Sequence, residues 1–122
     1  MKSLFDAAVR VEVAARIAKL NEHSKPEWGQ MTVYQMIRHC TMWEEMLLGK
    51  TVYKQSFLGK LVGKFALKDM MKHEPAKRNL PTVPSFKITG KGDVEAAKKE
   101  WLALLNEHTG RTPENTHCQC VE

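Results

Sequence analysis

The chain has few cysteines and no apolar segment long enough to cross a membrane. Its three cysteines are odd in number and lack the spacing of a disulfide framework, which predicts reduced thiols and a cytoplasmic protein. A membrane-spanning helix needs roughly 20 predominantly apolar residues, and no such run occurs. Asp6, Arg10 and Glu12 place charges in the first apolar segment, so we expect no signal peptide.

The sequence also lacks a motif for base or phosphate recognition. The net charge is +5 and the pI is about 9.2, but the basic residues are widely spread. This charge favours anionic partners only weakly, and we expect no nucleic acid. Hydrophobic residues make up 43% of the chain and charged residues 27%, which is typical of globular proteins. The length of 122 residues predicts a single domain over 1–122.

Apolar residues recur at helical spacing in several segments, which predicts an all-α fold. The first helix is predicted over Ser3–Leu20. The second follows Thr32, a good N-cap, and Gln35 three positions later can complete a capping box. Its apolar side then runs to a predicted stop at Gly49.

Three prolines and two glycines predict an extended crossover over His73–Asp93. Before it, Ser56–Lys72 has lysines beside an apolar face and is predicted to form a short basic amphipathic helix. Such a helix can lie on an anionic membrane surface, but we favour an apolar face that covers the bundle, with the lysines in water. A further helix is predicted to begin after an N-cap at Asp93 and to end at Gly110. Residues 110–122 are predicted to form a tail.

Four sequence segments carry a resemblance to a known family. They are WGQMTVYQMIRHC, FLGKLVGKFALKDMMK, KRNLPTVPSFKIT and DVEAAKKEWLALL. In this order and spacing they resemble the DinB-like superfamily, in a bacterial branch known as a domain of unknown function, over about Phe5 to His117. The resemblance implies a four-helix bundle in which a long crossover, here residues 49–92 with the short basic helix inside it, joins the second and third bundle helices.

The resemblance also implies a metal site. In that superfamily a histidine of the second helix and two histidines of the last helix often hold a divalent metal, typically zinc or nickel. Characterised members include thiol-dependent transferases and an isomerase that uses a low-molecular-weight thiol, so the resemblance implies such a thiol as a possible partner. His39 matches the histidine of the second helix. After His117, however, the sequence continues as CQCVE where the branch has its last helix. The resemblance therefore implies a C-terminally truncated bundle with an incomplete metal site.

Two interpretations of His39 remain open from the residues alone. It lies at the edge of the apolar face, where either a ligand facing a bundle cleft or an ordinary half-buried histidine would lie. The tail residues His117, Cys118 and Cys120 are competent zinc donors, but Cys-x-Cys is tighter than the usual spacing in zinc sites. We therefore do not favour a metal site in the tail.

Three further side chains have the chemistry of site residues. Glu44 could serve as a general base or support a metal-bound histidine, but we favour pairing with a crossover lysine. Cys40 lies in the middle of the apolar stripe and is expected to be an inert small hydrophobe. Adjacent helix residues point about 100° apart, which argues against a pair between Cys40 and His39. His108 is expected to stabilise a helix C-terminus.

Two functional hypotheses follow. The first is a DinB-like protein of the metal-dependent thiol transferase or hydrolase type, whose incomplete site supports little or no catalysis by this chain alone. The second is a non-catalytic helical interaction module that forms a homo-oligomer through an exposed apolar face of the bundle.

Overall fold

The described part of the chain is helical. The structure is a computed structural model, and it describes residues 2–52, 65, 68, 72, 78 and 84–111. Among these residues lie the helices α1 (Ala7–Ala18), α2 (Val33–Leu47) and α3 (Val94–Glu107) and a 3-10 turn at Pro84–Phe86. The all-α expectation is confirmed for these residues. Most of the helix predicted over Ser56–Lys72, much of the crossover and the tail from residue 112 lie outside the described residues.

Side-chain caps fix the starts of the helices. Thr32 caps α2 as predicted, because its Oγ1 accepts from the Gln35 backbone N–H at 3.2 Å while the Gln35 Oε1 accepts from the Thr32 N–H at 3.0 Å. Asp93 caps α3 through the Glu95 N–H at 2.9 Å. The predicted start of α1 at Ser3 is wrong. Asp6 is the N-cap, and its carboxylate accepts from the Ala8 N–H at 2.9 Å.

Gly49 ends α2 as predicted. Its φ of +74° lies in the left-handed region that favours glycine. The Gly49 N–H donates to the Met46 carbonyl at 3.1 Å, and the Lys50 N–H donates to the Glu45 carbonyl at 2.8 Å. These two bonds form a Schellman motif, which satisfies carbonyls that the last turn would otherwise leave without partners.

The core lies where α3 packs against α2 and α1. Its centre joins Val33 and Ile37 of α2 to Val94 and Ala97 of α3. The other buried apolar residues are Ile17, Leu48, Phe86, Leu104 and Leu105. Apolar side chains from all three helices and from the 3-10 turn thus enter the core, and burial of this surface is the main favourable term in folding.

Polar contacts fasten the helices to one another. The Lys98 ammonium of α3 is buried and donates to the carbonyls of Ala18 at 3.2 Å and Leu20 at 2.7 Å, at the end of α1. Arg38 of α2 pairs with Glu100 of α3 at 2.6 Å. Within the described residues, no helix has the length and apolar character needed to cross a membrane.

Candidate functional site

The ring of His39 is held by the backbone of the 3-10 turn. His39 is half-buried on α2, and its Nδ1 lies 3.2 Å from the carbonyl oxygen of Phe86. A carbonyl oxygen only accepts hydrogen bonds, so Nδ1 carries the proton and donates. In the neutral ring this leaves the lone pair on Nε2. The contact therefore selects one tautomer of His39.

An aromatic pair, Trp43 and Phe86, lies beside His39. The ring of Phe86 is edge-on to the imidazole, with centroids 6.0 Å apart and planes at 75°. The Phe86 ring also stacks on the indole of Trp43, with ring centroids 5.2 Å apart and an angle of 30° between the ring planes. Phe86 is only 6% exposed, whereas Trp43 is 42% exposed. Only a weak sequence signal marks Phe86, namely a lone aromatic residue in a proline-containing polar segment.

His39 fits a metal as a single ligand. Metal-ligating histidines typically donate their other ring N–H to a carbonyl or carboxylate, and His39 makes such a bond to Phe86. Across residues 2–52 and 84–111, however, no three side chains of His, Cys, Asp or Glu come together in a group that could hold a metal ion. His117, Cys118 and Cys120 lie outside the described residues. The metal role of His39 stays a prediction.

Glu44 and His108 form a buried pair between α2 and the end of α3. The His108 Nε2 lies 2.6 Å from the Glu44 Oε2, and the two side chains are 2% and 9% exposed. The sequence favours a crossover lysine as the partner of Glu44, but the partner observed is His108. The lysines of the crossover lie mostly outside the described residues. His108 is the C-cap residue of α3, in line with the expected structural role.

The ring of His108 also contacts an aromatic ring. Its ring meets the ring of Phe5 edge-on, with centroids 6.2 Å apart. Its Nδ1 is buried and has no hydrogen-bond partner in the described part of the chain. The pair therefore joins α2 to the end of α3 through a buried hydrogen bond.

Cys40 is a protected thiol. Its Sγ lies 3.8 Å from the Sδ of Met36. Burial, and secondarily the negative charge of Glu44, raise the pKa of the thiol to about 11. The nucleophilic form of cysteine is the thiolate, which is scarce at neutral pH when the pKa is this high. The geometry therefore agrees with the expectation of an inert Cys40.

A cleft of about 360 Å³ opens where α2 and α3 begin. It is lined by Tyr34, Arg38, Asp93, Ala96, Ala97 and Glu100. Its charged groups already have partners, because Arg38 pairs with Glu100 and Asp93 caps α3. His39, Cys40 and Glu44 do not line this cleft, so it brings together none of the candidate residues predicted from the sequence.

Comparison with known proteins does not assign the chain to a family. No family model matches it, and neither a curated protein nor a solved structure does. The resemblance to the DinB-like superfamily therefore rests on the four sequence segments alone.

Proposed function

We propose that this chain is a DinB-like helical-bundle protein in which His39 is a ligand of a divalent metal ion, zinc or nickel. The observation that carries the proposal is the 3.2 Å bond from the His39 Nδ1–H to the Phe86 carbonyl. This bond directs the lone pair of the neutral ring to Nε2, the nitrogen that would hold the metal. The four-helix arrangement is part of the same proposal.

The proposed reaction class is thiol transfer or hydrolysis. A bound divalent metal would lower the pKa of a thiol or water molecule at the site and so make it a better nucleophile at neutral pH. Around it, the Phe86 carbonyl orients the imidazole, and the Phe86 ring lies edge-on to it. Catalytic zinc sites use three protein ligands, and the described residues supply His39 alone. We therefore expect weak metal binding and little or no turnover by this chain alone.

Calorimetric titration with Zn²⁺ and with Ni²⁺ tests the ligand role. We expect His39→Ala to abolish binding, while His23→Ala retains it, because the His23 side chain is 87% exposed and pairs only with the neighbouring Glu22 among the described residues. A third variant, Cys118→Ser with Cys120→Ser, tests the tail donors.

The pattern of loss distinguishes the sites. Binding that is lost only in His39→Ala supports the proposal, and binding that is lost only with the cysteines moves the site to the tail and contradicts it. The proposal is also contradicted when all variants bind the metal equally weakly, or when no chain binds it. In those cases His39 is an ordinary half-buried histidine.

A second candidate function is self-association through α1. Val11 is 70% exposed, and Ala8, Ala15 and Ala18 are exposed at spacings of three and four residues on the same helix. Such a stripe is the kind that helices bury against a neighbour. We propose a second copy of the chain as that neighbour, without catalysis.

Sedimentation equilibrium tests the second candidate. We expect a dimer that Val11→Glu converts to a monomer, because the substitution places a charge in the apolar contact. Glu22→Gln, outside the stripe, should leave the dimer intact. A monomer at every protein concentration would contradict self-association.

A further inference from the structure

We infer that the aromatic pair, Trp43 and Phe86, positions His39 by holding the Phe86 carbonyl against its Nδ1. Phe86 and Trp43 are positioning residues in this proposal, since they act through His39. The significance of the inference for metal binding rests on the proposed function, but the positioning itself can be tested without a metal.

The hydrogen bond to His39 comes from the backbone, so it depends on what keeps the 3-10 turn on α2. Proline fixes its own φ at the start of the turn, and the Lys87 N–H closes the turn on the Pro84 carbonyl at 3.2 Å. Phe86 is the one buried residue of the turn. The docking of its side chain therefore determines where its carbonyl lies.

Trp43 supplies the stacked contact of the Phe86 ring. His39 and Trp43 are four residues apart on α2 and so lie on one face, one turn from each other. The Phe86 ring contacts both, edge-on to the imidazole and stacked on the indole. Without the indole, Phe86 would lose this stacked contact.

The expected consequence of losing Trp43 is a change in the tautomer of His39. When the turn no longer docks, the carbonyl no longer accepts from Nδ1. A neutral imidazole without a fixed partner populates both tautomers, because neither nitrogen is then selected as the donor. The proton on the ring thus reports whether the aromatic pair is intact.

Long-range ¹⁵N–¹H correlation NMR of the metal-free, ¹⁵N-labelled chain measures this, with the ring neutral and its signals assigned by their loss in His39→Gln. We expect the native chain to carry the proton on Nδ1. Trp43→Ala should raise the Nε2–H form to a comparable population. Trp28→Ala is the matched control, because Trp28 is 48% exposed against 42% for Trp43, and it should leave the tautomer unchanged.

Conservative variants separate positioning from unfolding. Trp43→Phe keeps an aromatic stack and should retain the native tautomer. If Trp43→Ala loses its helical circular dichroism, Trp43→Leu and Phe86→Leu are used in its place. Both keep apolar volume but remove the aromatic stack, so the same rise of the Nε2–H tautomer is expected. A native chain with the proton on Nε2, or an unchanged tautomer in the folded variants without the stack, would overturn the inference.

Addition of Zn²⁺ to the native chain then tests the metal proposal on the same signals. A selective change at the His39 Nε2 supports the ligand role. No change contradicts the ligand role but leaves the positioning result in force, because that result is obtained without metal.

Discussion

The Nε2 atom of His108 lies 2.6 Å from Oε2 of Glu44, in a pair that joins α2 to the end of α3 and is almost fully buried. The interior solvates polar groups poorly, so each partner depends on the other for its hydrogen bond. The removal of one side chain is consequently more damaging than the replacement of both.

Glu44→Ala should lower the free energy of unfolding by about 3 kcal/mol, because it leaves a buried imidazole without its acceptor. Urea unfolding followed by circular dichroism measures the change. Glu45→Ala is the control, and it should stay within about 0.5 kcal/mol of the native chain, as is usual for substitutions away from buried networks. Equal effects of the two variants would contradict a special role for the pair.

Apolar replacement of both partners should be milder than either single change. We expect the double variant Glu44→Leu with His108→Phe to be more stable than the sum of the single variants implies, because neither side chain then needs a polar partner. The same urea transitions give the coupling energy. Strictly additive losses would show that the two groups are energetically independent.

Cys40 should be a slow thiol. With Cys118→Ser and Cys120→Ser as background, it is the remaining cysteine and can be alkylated with iodoacetamide. Its pKa of about 11 against an ordinary 9.0 predicts about 100-fold slower alkylation near neutral pH, because the rate follows the thiolate fraction. The alkylation rate should rise about tenfold per pH unit toward pH 11. In urea, the unfolded chain should react at the rate of an ordinary exposed thiol.

The same pKa predicts a loss of stability in alkali. Since the folded pKa of Cys40 lies above the unfolded value, its contribution is complete below about pH 9 and declines as the pH rises toward 11. Comparison with Cys40→Ala isolates this contribution, because alanine does not titrate. Parallel stability profiles for the two chains over that range would contradict the raised pKa.

Gly92 permits a close approach by Tyr34. A Cβ atom added to Gly92 would lie 2.5 Å from the Cζ of Tyr34, whereas one added to Gly90 would meet nothing within 4 Å. We expect Gly92→Ala to destabilise the fold by about 1–2 kcal/mol through overpacking and Gly90→Ala to have little effect. In a Tyr34→Ala background the penalty of Gly92→Ala should disappear. Thermal unfolding of the native chain, the three single variants and the double variant measures these effects.

Lys98 should stabilise the contact between α3 and the end of α1. Lys98→Met keeps much of the apolar stem but removes the donor to Ala18 and Leu20. We expect a loss of about 1–3 kcal/mol, since two carbonyls lose a charged partner. Lys99→Met, at an exposed position, is the matched control. Equal stability of the two variants would show that water replaces the ammonium without loss.

The local part of the fold could be predicted from the sequence because caps act over three or four residues. Thr32 with Gln35 marks the start of α2, and Asp93 marks that of α3. The error at the start of α1 arose from following apolar periodicity back to Ser3. The carboxylate of Asp6 supplies a better cap at that end.

The candidate site was less predictable, because its contacts join distant parts of the chain. His39 was predicted on the edge of α2, but its partner Phe86 lies 47 residues away. Glu44 and His108 are separated by 64 positions. The sequence places Glu44 near the apolar face of α2 and His108 at the end of α3, and only the packing of α2 on α3 makes them a pair.

The contact of Lys98 with the end of α1 also affects how the chain matures. The donor to the Leu20 carbonyl lies 78 positions later in the sequence. During synthesis from the N-terminus, α1 is therefore made long before the lysine that binds these two carbonyls. The carbonyls of Ala18 and Leu20 gain their ammonium partner only when α3 packs against the end of α1.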